Sequence, residues 1–267
     1  MKRFAGLMIL LLFIFSGCTS KDWFDNEDTY LIAHRGAHIG APENTIESIS
    51  QAANLGYDGV EIDVRESKDG TNFLMHNKKL DKTTNGKGKL ENHTNKYLKN
   101  LKINTSEYPK YKNKELKIPT FKEAVKQISQ ENLIVNVDGS KGDWEDNKFI
   151  ESIVDTLKKY DVYERSFFVL SDKNIRDEFV ESYPDATVSW LYDPKDSIDE
   201  EIQQVKDYEC ALLSITDDIA TESMLNKLNE TEIVYQVYNV NNDERFKELE
   251  SSDVPIVETD EINPDDL

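Results

Sequence analysis

The chain has 267 residues, 52 of them acidic and 32 basic, for a formal net charge of −20. So acidic a surface repels nucleic acid and anionic lipid, so neither is expected as a partner, and an anionic substrate must be held by local positive charge. The length suits one large domain with a substantial core, and no Gly/Ser or Pro tract divides it into two.

At the N-terminus, Lys2 and Arg3 precede the apolar run FAGLMILLLFIF, which has the length of a signal peptide rather than of a membrane span. FSGC follows. The whole resembles a bacterial lipoprotein signal, with Phe15 where leucine is preferred. The resemblance implies a signal peptide over 1–17, lipid on Cys18, and a polar tether over 18–28. It further implies a chain anchored to the membrane of the cell envelope and facing outside the cytoplasm. An ordinary secretory signal with an incidental Cys18 is the alternative. With Cys18 acylated, Cys210 would be the only thiol left, and its setting, YECALLSI, is that of a buried small hydrophobe.

From residue 29 onward, short β-rich runs alternate with amphipathic stretches. YLIAH, GVEIDV, LIVNVD, FFVLS, TVSWLY, ALLSI, VYQVYNV and VPIVET read as strands. ENTIESISQAANLG reads as a helix with Ile46, Ile49 and Ala53 on one face and Gly56 as its stop; TFKEAVKQIS reads as another, with Phe121, Val125 and Ile128. Strand–helix order repeated about eight times predicts an α/β fold, a (β/α)8 TIM barrel over 29–267, with a doubly wound open sheet as the alternative from periodicity alone. TNFLMH follows the second run through SKDG and reads as a strand folding back beside it. Residues 77–116, Lys- and Asn-rich, are too long for an ordinary connection and read as an insertion after the second strand, placed to cover the barrel mouth.

Several strands end on polar residues. His34 and Arg35 close the first run, His76 closes the hairpin strand, and Asp138 closes the third run. Glu61 and Asp63, two apart, point to the same side of the second. Singly, each reads as a hydrogen-bonded structural residue or a solvated face. Together they converge where barrel chemistry gathers, and two inward carboxylates on one strand cost free energy unless a cation or an arginine neutralises them. Glu61, Asp63 and Asp138 are therefore expected to hold a hard divalent metal, Ca2+ or Mg2+. Zinc is disfavoured because no His/Cys ligand spacing is present.

At these residues the chain resembles the glycerophosphodiester phosphodiesterase family. AHRGAHIGAPENT, GYDGVEIDVRESKDGTNFLMHN, LDKTTNGKG and IPTFKEAV look like its successive signatures, and VYNVNND and VETDEINP fit its last two strands. The resemblance implies metal-dependent hydrolysis of a phosphodiester, with His34 and His76 as acid and base and Arg35 on phosphate. It also implies Glu61 and Asp63 as metal ligands and Glu43 as a residue supporting the site. Departures stand at Asn77, where an aspartate is usual, at Lys82 for an arginine, at Tyr238 for a tryptophan, and in VDGSK, which supplies Asp138 for the third ligand and puts Lys141 one step late. Lys141 is carried as a candidate phosphate ligand, although one residue of shift turns a strand side chain to the other face. The expected partner is a small phosphodiester or an envelope polymer, and the expected state a monomer. A non-catalytic diester-binding lipoprotein on the same barrel is the alternative. A glycoside hydrolase fits poorly, since carboxylates side by side on one strand do not flank a sugar bond.

Overall fold

The structure, a computed structural model, describes residues 29–267. The first half runs β1 (Tyr30–Ala33), α1 (Ile46–Asn54), β2 (Gly59–Glu66), β3 (Asn72–Leu74), α2 (Asn95–Leu98), α3 (Phe121–Glu131), β4 (Ile134–Asp138) and α4 (Asn147–Lys159). It continues through β5 (Ser166–Val169), α5 (Lys173–Ser182), β6 (Thr187–Leu191), α6 (Ile198–Asp207), β7 (Ala211–Thr216), α7 (Glu222–Asn229), β8 (Val234–Tyr238), α8 (Asp243–Glu250) and β9 (Ile256–Thr259). All the strands but β3 pair in parallel around a closed ring, β1-β9-β8-β7-β6-β5-β4-β2, and β1 pairs with β2 to shut it. This is the (β/α)8 barrel, and closure excludes the open sheet. β3 lies antiparallel on β2, Val64 opposite Leu74, as the SKDG turn predicts.

Period-two alternation builds the core in two shells. On β1, Leu31 and Ala33 face the helices, while Tyr30 and Ile32 pack inside the barrel with Ile134, Phe167, Leu212 and Ile256. Gly59 is required there, because a Cβ at that position would stand 2.6 Å from Ile32 Cδ1 and 2.7 Å from the Ile134 carbonyl. Two residues further along most strands the inward position turns polar: His34 after Ile32, Glu61 after Gly59, Asn136 after Ile134, Ser214 after Leu212, Glu258 after Ile256, whereas Val169 follows Phe167 on β5. The barrel is thus apolar at its base and polar at its C-terminal mouth.

The helices are capped by their own sequence. Thr45 of Pro-Glu-Asn-Thr accepts from Ser48 N, which opens α1, and Thr120 with Glu123 forms a capping box on α3. On α1, Ile49 and Ala52 are fully buried, with Ile46 and Ala53 at the edge of the contact, and Gly56 follows at φ +85°. Residues 77–116 lie between β3 and α3 and carry their own small core of Leu80, Leu90, Leu98 and Leu101 against Phe73 and Ile118. Cys210 is buried. No helix among the described residues is long and apolar enough to cross a membrane. Cys18 and the segments 1–17 and 18–28 lie outside the described residues.

Candidate active site

Parallel pairing of β2 and β4 sets Glu61 opposite Asn136 and Asp63 opposite Asp138. Ligand oxygens of Glu61, Asp63 and Asp138 consequently lie within 4.8 Å of one another. Burial raises the Glu61 carboxyl well above its ordinary range, and the charges of Asp63, Glu258 and Asp138 add to it. Asp63 is raised as well, by burial first and then by Asp138, against the opposing pull of Lys141. Lys141 and Arg35 meet part of this negative charge, and the all-oxygen donor set suits a hard divalent ion. The residues therefore fit calcium or magnesium.

Lys141 meets this cluster directly. β4 ends at Asp138, and the chain then leaves the strand at Gly139, where a Cβ would sit 2.3 Å from the Val169 carbonyl. Because Lys141 lies in the following turn, strand alternation does not govern its direction. Its Nζ stands 2.5 Å from Asp138 Oδ2 and 3.3 Å from Asp63 Oδ1. Despite burial, these carboxylates hold the Lys141 ammonium up and Lys141 holds Asp138 down. Ser140 adds its backbone N–H and hydroxyl to Asp138 at 2.7 Å each.

Arg35 is placed by an unusual backbone. Its φ is +58°, followed by Gly36 at +74°, and this left-handed turn aims the Arg35 N–H at Glu61 Oε2, 3.0 Å away. A non-glycine residue in that region costs about 1–3 kcal/mol and persists where surrounding contacts over-determine it. Here the Arg35 carbonyl accepts from Asn44 N at 3.0 Å and from Ser48 Oγ at 3.1 Å. The guanidinium reaches Glu43 at 3.3 Å and Asp63 at 3.7 Å. Asn77 donates to Glu43 at 3.4 Å, so its amide serves the arginine's partner.

The two histidines stand in opposite electrostatic settings. Burial lowers the His76 imidazole to about 4, and the cations Arg35 and Lys141 push the same way. Its Nδ1 is buried without a hydrogen-bond partner, while its carbonyl is gripped by Arg65 Nη2 at 2.9 Å. At His34, burial also opposes charge, but the hydrogen bond to Asp260 and the negative charges of Glu258 and Asp260 outweigh it and raise the imidazole above its ordinary value. His34 Nδ1 lies 2.7 Å from Asp260 Oδ1, and its Nε2 faces Glu61 at 3.8 Å.

Sequence reading passes over four residues that the fold adds. Asn44 orients Asp63, donating from Nδ2 at 2.7 Å and accepting the Asp63 N–H at 3.1 Å. Glu258 is buried in the mouth, where Asn136 and Gln236 donate to it at 2.8 and 2.7 Å. Asp260 and His38 pair at 2.7 Å beside His34. The signal for two of them was present: Glu258-x-Asp260 at the end of β9 repeats the Glu61-x-Asp63 pattern of β2.

Two cavities are lined by these groups. One, of about 240 Å³, opens at the barrel mouth between His34, Glu61, Lys141, Gln236 and Tyr238. The other, of about 150 Å³, lies under residues 77–116 between His76, Glu43, Lys82, Ile103 and Tyr108.

The chain matches the model of the glycerophosphoryl diester phosphodiesterase family over residues 34–264. It is 34% identical over 137 residues to a glycerophosphodiester phosphodiesterase of Caldanaerobacter subterraneus, a stretch covering 51% of this chain and 56% of that protein. Human glycerophosphodiester phosphodiesterase 1 is 36% identical over 141 residues, covering 50% of this chain and 42% of that one. The chain thus spans about half the length of these relatives. Among solved structures, an Oleispira antarctica phosphodiesterase in complex with the product sn-glycerol-3-phosphate superposes with a TM-score of 0.79 at 23% identity, over 92% of this chain and 97% of that one. A glycerophosphodiester phosphodiesterase of Agrobacterium tumefaciens gives 0.73 at 21% identity, over 89% and 97%. At those identities the likeness speaks for the fold.

Proposed function

Because the chain belongs to the glycerophosphoryl diester phosphodiesterase family, we propose that it hydrolyses glycerophosphodiesters to a glycerol-phosphate-type monoester and an alcohol, with His34 and His76 transferring the protons. The observation that carries this reading is the split between the histidines, one raised and one lowered to about 4 beside the same carboxylate cluster. Environments that drive two titratable groups apart assign the acid and the base. His76, neutral at pH 7, accepts a proton of the attacking water as the water oxygen bonds to phosphorus. His34, whose protonated form its acidic neighbours favour, donates to the leaving alcohol oxygen as the other P–O bond breaks.

Arg35 holds the phosphoryl oxygens, and Lys141 lies close enough to the cluster to turn one hydrogen bond toward them. Glu61, Asp63 and Asp138 would hold the divalent cation, which when bound supplies positive charge to the phosphate oxygens. Glu43 and Asn44 keep Arg35 and Asp63 in place. A purely binding barrel would have no use for histidines driven in opposite directions.

We further assign the chain to the envelope, lipid-anchored through Cys18 and acting as a monomer on small diesters from outside the cytoplasm. The relative by fold that was solved with sn-glycerol-3-phosphate supports a glycerol-phosphate product. The test is product release from a panel of glycerophosphodiesters with calcium or magnesium, and with chelator. Monoester release that stops on chelation is expected; no release from any diester under either metal would leave the binding-lipoprotein reading in its place.

A further inference from the structure

Folding brings Asp260 onto the His34-x3-His38 pair and so assembles a nitrogen-containing cluster. His34 Nδ1 and His38 Nε2 each lie 2.7 Å from the same oxygen, Asp260 Oδ1. Ligand atoms of all three residues lie within 4.8 Å of one another. The histidines come from the loop after β1 and the aspartate from the end of β9, two strands joined by the pairing that closes the barrel. Their side chains are 23%, 24% and 28% exposed, so a solvated ion reaches them without any opening of the fold.

We propose that His34, His38 and Asp260 form a second cation site, selective for a borderline transition ion of the zinc class, whose occupation switches off His34. The donor set decides the selectivity. Two imidazole nitrogens with one carboxylate suit zinc and discriminate against magnesium and calcium, whereas Glu61, Asp63 and Asp138 offer oxygen alone. The two clusters share a wall at His34, whose Nδ1 faces Asp260 and whose Nε2 faces Glu61 at 3.8 Å.

Inhibition follows from the imidazole's two nitrogens. In the metal-free arrangement Nδ1–H donates to Asp260, which stabilises the doubly protonated ring. An ion on Nδ1 takes that lone pair and expels that proton, so the ring keeps one hydrogen, on Nε2, and the imidazolium form no longer exists. The Nε2–H that remains is a far weaker acid than an imidazolium, so His34 gives up its proton much less readily. Binding of the ion stands on the cluster alone, and only the inhibition rests on the proposed function.

Titration calorimetry of Zn2+ into chelator-treated, dialysed protein saturated with Mg2+ tests the site directly. Wild type is expected to take up one ion, His38→Ala to bind it at least about tenfold more weakly, and Glu61→Gln to keep zinc affinity within about twofold. Zinc should also inhibit diester hydrolysis by the wild type, with the inhibitory concentration raised to the same extent in His38→Ala. Unchanged zinc affinity in both His38→Ala and His38→Gln, with melting curves showing each folded, overturns the site. Loss of zinc binding in Glu61→Gln alone overturns it too, because the ion then sits among the carboxylates. His38-dependent zinc binding in a chain that hydrolyses no diester would keep the site and sink the enzymatic reading, so the two failures are distinguishable.

Discussion

Asp260 Oδ1 accepts a hydrogen bond from His34 Nδ1 at 2.7 Å, across 226 positions of sequence. The contact exists because β9 pairs in parallel with β1, Thr259 opposite Ala33, so that the residues just past the two strand ends meet at the barrel mouth. It fixes which His34 nitrogen faces the carboxylate cluster, and it holds the Asp260 carboxylate well below its usual range despite burial.

Removing that carboxylate should therefore alter His34 without touching substrate. In Asp260→Asn the imidazole loses its charge-assisted partner, so its pKa falls toward or below the ordinary 6.5. As His34 is proposed to act protonated, the alkaline limb of the pH–rate profile should move to lower pH, with turnover at pH 7 reduced by about one to two orders of magnitude. A profile of kcat/KM against pH checks this; a lower plateau with an unmoved alkaline limb would mean that Asp260 serves only the fold.

Replacing the proton-transfer groups separates chemistry from binding. His34→Ala or His76→Ala should lower kcat by about two to four orders of magnitude with little change in diester affinity, because acid–base catalysis contributes about that much. Arg35→Ala should raise KM as well, since its contact with phosphate serves both ground and transition state. The acid limb of the wild-type profile should fall near 4, where His76 gains its proton. Equal effects of all three substitutions on affinity and turnover would argue against distinct roles.

The buried carboxylates make a prediction about stability. A raised acid binds its proton more tightly in the folded state, so the stability it allows is present below its unfolded value, 4.5 for Glu61, and is lost as pH rises through the folded value. The melting temperature of chelated protein should accordingly drop as pH climbs above 4.5 and recover on adding calcium or magnesium. Glu61→Gln should flatten that drop and abolish the recovery together with metal-dependent activity. Full activity of Glu61→Gln in EDTA would remove the cluster from the reaction.

The anchor at Cys18 is tested by fractionation. Wild type should partition with membranes as a processed chain beginning at the lipidated cysteine, and Cys18→Ala should accumulate unprocessed or be released. Membrane association and processing that survive the substitution unchanged would rule out lipid on Cys18.

The barrel and half of its mouth were legible in the chain because their causes are local. Alternation along a strand sends residues two apart to one side, so Ile32 with His34, and Glu61 with Asp63, declare a buried inward face that turns polar at its end. Thr45 and Thr120 mark helix starts by capping chemistry that acts over three residues. Tertiary structure alone decided the rest. Lys141 turns onto Asp138 and Asp63 because Gly139 takes the chain off the strand, where alternation has no authority. Arg35 presents its N–H to Glu61 only through a left-handed φ of 58° that no residue pattern announces. Asp260 joins His34 and His38 only when β9 closes on β1, since which distant strand ends become neighbours depends on the ring's closure and not on any spacing within the chain.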